Sequence, residues 1–147
     1  MLELSRNMAT TPLRKDLYYP ELSYEIVGAA FNVHGDLGPR YHEKHYQRAL
    51  AHVLAAQKIP FREQVPVKLT TRYGPIGKYA VDFIVDGKIV LELKAVPRFA
   101  TSDFRQVDAY LRSLNLPLGI LINFRSQQLT FKRIINPNFA PPSRPLE

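Results

Sequence analysis

The stretch from Lys78 to Ala95 constrains the fold more than any other part of the chain. Two runs, Lys78–Val85 and Lys88–Ala95, read as strands and are separated by Asp86-Gly87. That dipeptide between apolar runs is a strong hairpin signal, because both residues accept the left-handed backbone of a tight turn. Side chains alternate along a strand, so in Val90-Leu91-Glu92-Leu93-Lys94 the charged Glu92 and Lys94 share one face. Leu91 and Leu93 share the other. Closing the hairpin sets Asp82 across from Glu92 and Lys94.

Two acidic groups and an ammonium therefore converge on otherwise apolar strands. Burying such charges is costly unless they are paired or bind a metal. Two neighbouring carboxylates repel, and a hard divalent cation relieves that repulsion. Mg²⁺ takes oxygen ligands, keeps several waters and is typically held by one or two carboxylates plus substrate phosphate. Asp82, Glu92 and the carbonyl of Leu93 meet that demand, with Mn²⁺ as a substitute. Lys94 is then placed to orient or deprotonate an attacking water, or to stabilise charge developing on phosphate. The plain alternative is a solvated Glu-x-Lys pair on an exposed strand, worth ~0–1 kcal/mol.

The rest of the chain supplies helices and further strands. Val27, Ala30, Phe31 and His34 mark a helix over about 21–34, interrupted by Gly35-Asp36 and Gly38-Pro39. A second helix runs from about 40 to 57, along Tyr46, Ala49, Leu50, Val53 and Leu54. Gln64–Thr70 alternates as a strand, and Gly74-Pro75-Ile76-Gly77 reads as a turn. A helix over 102–115 buries Phe104, Val107, Leu111 and Leu114, with Ser102 or Thr101 as cap. Leu118–Phe124 is continuously apolar, as a central strand should be, and Leu129–Ile135 follows. This order predicts an α/β fold with a mixed sheet flanked by helices. Residues 1–20 are expected to form an N-terminal arm, 21–135 the compact domain and 136–147 a Pro-rich, extended tail.

At 147 residues the chain is one domain, too short for a (β/α)₈ barrel or paired nucleotide-binding halves. With no cysteine it has no disulfide, thiolate metal site or cysteine nucleophile. It is compatible with a cytoplasmic location. No run is long enough to cross a membrane, and the first residues lack the apolar stretch of a signal peptide. No phosphate-binding glycine loop and no G-x-S-x-G elbow is present. The net charge of +7, mostly contributed after residue 93, suits a polyanionic partner. His42 and His45 flank Glu43, but their spacing is not the HExxH pattern of zinc helices.

Asp82 followed by Glu92-Leu93-Lys94 resembles the PD-(D/E)xK nuclease signature of restriction-endonuclease-like folds, with Val81 where proline is usual. The stretch from Val33 to Tyr46 resembles the GxxExxY branch of these proteins, as do Val90–Val96, Gly119–Phe124 and Lys132-Arg133-Ile134. Arg40 stands where that motif has its glycine, while Glu43 and Tyr46 are in place. Gln106 and Tyr110, one helical turn apart, resemble the QxxxY pair of RecB-like nucleases.

The resemblance covers about residues 22–135 and implies a restriction-endonuclease-like core. It implies that Asp82, Glu92, Lys94 and Glu43 form the catalytic set, and that Glu43 completes the metal site. It places Gln106, Tyr110 and Tyr46 on the substrate side, and makes His34 a support for the glutamate helix; Arg105, close to this pair in sequence, is expected to contact phosphate. The expected activity is Mg²⁺-dependent phosphodiester hydrolysis, in DNA by family analogy. A catalytically silent nucleic-acid-binding module is the alternative, as is a subunit of a larger DNA-processing assembly. A homodimer or a protein partner is compatible with either.

Overall fold

A computed structural model of the chain describes residues 17–143. Three helices, α1 (Pro20–Leu37), α2 (Glu43–Ala56) and α3 (Thr101–Leu114), accompany five strands. The strands are β1 (Phe61–Thr71), β2 (Gly74–Val85), β3 (Ile89–Lys94), β4 (Leu118–Asn123) and β5 (Thr130–Ile135). They form one sheet in the order β1-β2-β3-β4-β5. All neighbours are antiparallel except β3 and β4, which run parallel because α3 carries the chain back between them. This is the expected mixed sheet flanked by helices.

Both faces of the sheet are covered. On one, Ile26, Ala30, Val33, Tyr46, Leu50 and Leu54 of α1 and α2 pack on strand residues that include Phe83, Leu91, Leu93 and Ile122. On the other, Val107, Tyr110 and Leu111 of α3 pack on Val65, Val67, Val81, Val90 and Leu121. Central strands β3 and β4 are therefore buried on both sides, which is why they read as nearly continuous apolar runs. Gly119 lets α3 sit close to β4, since a Cβ there would lie 2.5 Å from Val107 Cγ1.

The Asp86-Gly87 turn is as the sequence indicates. Both residues have positive φ, 52° and 64°, and the Lys88 N–H donates to the Val85 carbonyl at 2.9 Å. Other boundaries differ. Helix α1 runs through Gly35 and Asp36 to Leu37, because an isolated glycine weakens a helix without ending one. It stops at Gly38, whose φ is 73° and whose N–H donates to the His34 carbonyl. Helix α2 starts at Glu43 rather than near 40, so Arg40 lies in the preceding loop. Gly74–Gly77 belongs to β2, and the turn before it is Arg72-Tyr73. Thr71 Oγ1 closes that turn by accepting from the Tyr73 N–H and donating to the Gly74 carbonyl, both at 3.1 Å. The N-cap of α3 is Ala100, whose N–H is satisfied by Asp103 Oδ2 at 2.8 Å instead of by Ser102 or Thr101.

Residues 136–140 do not extend away from the body as a tail. Asn136 is buried and donates from Nδ2 to the Leu111 and Leu116 carbonyls, tying the end of β5 to the end of α3. Phe139 packs edge-on against Tyr18 at 5.8 Å. Residues 1–16 of the expected arm and 144–147 of the expected tail lie outside the described residues.

Candidate active site

The site forms where β2 and β3 part. Their ladder pairs Val85 with Ile89, Ile84 with Val90 and Phe83 with Leu91, and ends there. Beyond it, carboxylates replace the missing ladder bonds. The Asp82 N–H donates to Glu92 Oε1 at 2.9 Å, and the Leu93 N–H donates to Asp82 Oδ2 at 2.8 Å. Each acidic side chain thus satisfies the backbone of the opposite strand, as buried N–H groups require. A strand residue points its N–H and C=O to the same side. The Leu93 carbonyl therefore faces the same gap as its N–H.

A backbone kink lies beside this gap. Gln64 on β1, opposite Asp82, has a φ of 46°, and the β1–β2 register skips the pair. The alternation of both strands reverses there. Phe61 and Phe83 meet on the α1–α2 side at 5.7 Å, whereas Val65, Val67 and Val81 face α3. Gln64 Nε2 then donates to Asp82 Oδ1 at 3.2 Å and to Gln47 Oε1 of α2 at 2.8 Å.

Glu92 is only 4% exposed. Its carboxyl is pushed up from 4.5 to about 8, first by burial and then by the charge of Asp82, with the Asp82 N–H and Lys94 opposing. The folded, metal-free chain therefore holds this proton more tightly than the unfolded chain. The stability it contributes is complete below pH 4.5 and lost as pH rises toward about 8. In EDTA, the melting temperature of the native chain should fall across that window. Glu92→Gln should flatten the fall. Parallel pH profiles for the two proteins would refute this assignment.

Lys94 is held by α3. Its Nζ donates to Gln106 Oε1 at 3.2 Å and lies 3.6 Å from Asp103 Oδ1. Asp103 belongs to none of the motifs above. Its signal is the acidic residue at the third position of a helix, the place from which it also reaches back to the Ala100 N–H. Tyr110 is buried beside the pair. Its hydroxyl is held above its ordinary range by burial first, then by the charges of Glu92 and Asp82. Gln106 and Tyr110 are thus brought to the carboxylates from one face of α3.

Glu43 approaches from the other side, at the first turn of α2. Its carboxyl is raised mainly by desolvation, with Lys94 opposing and Asp82 and Asp103 adding to the rise. The Ala95 backbone also lowers it, which places Glu43 at the exit of β3. It lines a cavity of about 450 Å³ with Arg40, His42 and Arg125 among its walls. Arg40 has no left-handed backbone, so a glycine is not required there.

Two expected substrate residues are not brought into the site. Tyr46 is fully buried, so it has no surface to offer a substrate. Its ring stacks on Phe124 at 4.4 Å, and its hydroxyl donates to the Gly38 carbonyl and accepts from the Tyr41 N–H. Tyr46 therefore anchors the loop that leads into Glu43. Arg105 is exposed on α3 and makes no hydrogen bond or ion pair among the described residues. His34 holds the Ser126 carbonyl at 3.0 Å, bracing the segment after β4 rather than the glutamate helix directly. Buried Asn123 clamps the exit of β3 through the Val96 N–H and carbonyl, a role no motif announced.

The donor set suits a hard divalent cation. Asp82, Glu92 and the Leu93 carbonyl are oxygen donors around one gap, and the raised Glu92 carboxyl marks the cost of a second negative charge beside Asp82, a cost that a cation relieves. Among the described residues, no group of three or more His, Cys, Asp or Glu forms a ready-made cage. A pair of carboxylates is enough for Mg²⁺, which completes its shell with water and phosphate. His42 and His45 instead bond to each other, His42 N–H to His45 Nδ1 at 3.3 Å.

No helix among the described residues is long and apolar enough to cross a membrane. No curated protein and no solved structure matches the chain significantly. The family model of the PD-(D/E)XK nuclease superfamily matches residues 20–134, from the start of α1 almost to the end of β5. With Asp82, Glu92 and Lys94 gathered where β2 and β3 part, the chain belongs to the PD-(D/E)XK nuclease superfamily.

Proposed function

We propose that the chain is a cytoplasmic, Mg²⁺-dependent nuclease that hydrolyses phosphodiester bonds in DNA, of the GxxExxY branch and RecB-like in its helix α3. The observation that carries this reading is the crossed pair, Asp82 N–H to Glu92 and Leu93 N–H to Asp82, with Lys94 beside it.

Asp82, Glu92 and the Leu93 carbonyl are the ligands of the ion, with Glu43 contributing from α2. When bound, Mg²⁺ supplies Lewis-acid polarisation of the phosphate and a water of lowered pKa. The two carboxylates are held before substrate arrives, since each accepts a hydrogen bond from a backbone N–H of the opposite strand. Lys94 sits with its ammonium restrained by Gln106 and Asp103. From there it orients the attacking water and donates to the phosphate oxygens as negative charge grows. Gln106 acts through Lys94, and Tyr110 closes the apolar side of the carboxylates. Arg105 remains a candidate for phosphate contact on the outer surface of α3.

Titration calorimetry with Mg²⁺ and Mn²⁺ separates this reading from a silent binding module. The native chain should bind one ion at the carboxylate pair, and Asp82→Ala should remove that binding. A native chain that binds neither ion would overturn the metal-dependent assignment.

A further inference from the structure

Two pairs of like charges face solvent beside the site, and among the described residues neither pair has an acidic partner. In the β1–β2 ladder Lys68 stands directly opposite Lys78, and both are exposed. Like charges opposite one another destabilise a strand pair. On α2, Lys44 and Arg48 are one turn apart, which weakens a helix for the same reason. Among the described residues, none of the four takes part in an ion pair.

The four residues lie along one surface. Val65 and Val67 turn toward α3, so alternation puts Lys68 and its neighbour Pro66 on the opposite face of the hairpin. Cross-strand partners share a face, which adds Lys78 and Ala80. All four of these residues are exposed, so no helix covers the sheet there. At its inner end this face meets a cavity of about 450 Å³ lined by Lys44, Arg48, His52 and Gln64. Glu63 is the one acidic residue in its wall. Gln64 bonds to Asp82, so the cavity abuts the carboxylate pair. At about 3.3 Å per residue, Lys78 lies roughly 13 Å along β2 from Asp82. That distance spans a few backbone phosphates, which recur every ~3.4 Å of helix axis on each strand of a duplex.

We propose that Lys68, Lys78, Lys44 and Arg48 form a stripe that binds the phosphate backbone of the nucleic acid and leads it to Asp82. The proposal rests on the nuclease reading above for its direction, and on the unpaired like charges for its ligand. A polyanion lying across both pairs removes the repulsion that each suffers in the free protein.

The test uses the full chain in EDTA and a short fluorescein-labelled DNA duplex followed by anisotropy. Lys68→Gln with Lys78→Gln should weaken binding roughly tenfold and make the slope of log K against log salt shallower by about 1.8, two contacts at ~0.9 each. Its melting temperature should stay equal or rise, because a repulsive pair is gone. Unchanged affinity and salt slope would overturn the stripe. If the double variant binds normally while Asp82→Ala loses cleavage, the stripe falls and the nuclease reading stands. If no DNA is cut with any metal but the double variant binds poorly, the nuclease reading falls and the stripe stands as a binding surface.

Discussion

Replacing Lys94 by alanine should lower the rate of DNA cleavage by about 10²–10³-fold, the usual loss when one preorganised donor to developing charge is removed. The fold should survive. Lys94 is the last residue of β3, and its ammonium is partly exposed, so no core packing depends on it. Its removal does leave Gln106 and Asp103 without their shared partner. Both sit at the open end of α3 where water can replace it. Gln106→Ala provides a graded comparison. It frees Lys94 from one of its two restraints and should cost less than removing the ammonium itself. Cleavage rates at saturating Mg²⁺, with melting curves for each variant, check both expectations. Equal loss of activity and of folded structure would point to a structural role for Lys94.

Replacing Tyr46 by alanine should destabilise the chain by about 3–5 kcal/mol, as for other large aromatic residues taken from a core. For a domain of this size that is a fall in melting temperature on the order of 10 °C. Tyr46 loses its stacked partner Phe124 and both hydrogen bonds to the loop before α2. Tyr46→Phe keeps the stacking and removes only the hydroxyl, so it should retain most of the stability. Because that loop ends at Glu43, Tyr46→Phe should still loosen the position of Glu43 and reduce activity more than stability. A Tyr46→Ala protein as stable as the native chain would show that the residue does not anchor this loop.

The residues that were legible in the sequence are those whose signal is local. Asp86-Gly87 announces its own turn, and period-two alternation then places Glu92 and Lys94 on one face. The carboxylate pair follows from those two facts alone. What stayed hidden depends on tertiary context. Gln64 adopts a left-handed backbone without being glycine, and this reverses the alternation beside Asp82. No local rule would have found it. Tyr46 shares a motif with Glu43, and that shared motif suggested a shared role. Burial separates them: one turn of helix carries Glu43 to the edge of the sheet and Tyr46 into the core. Asp103 is masked in the sequence by Thr101 and Ser102, which are the usual capping residue types. The acidic residue that closes the helix end also faces Lys94. The charge of +7 suggested phosphate contacts after residue 93, yet the unpaired cations nearest Asp82 on the hairpin and α2 lie between residues 44 and 78.

Asp82, Glu92 and Lys94, with a divalent metal, are the proposed centre of nucleic-acid cleavage. The most direct measurement compares the native chain with Asp82→Ala on linear duplex, circular duplex, single-stranded DNA and RNA, each with Mg²⁺, with Mn²⁺ and with EDTA. The native chain should cut DNA with either metal and not in EDTA, and Asp82→Ala should cut none. Cleavage that persists in EDTA, or that Asp82→Ala carries out as fast as the native chain, would contradict this assignment.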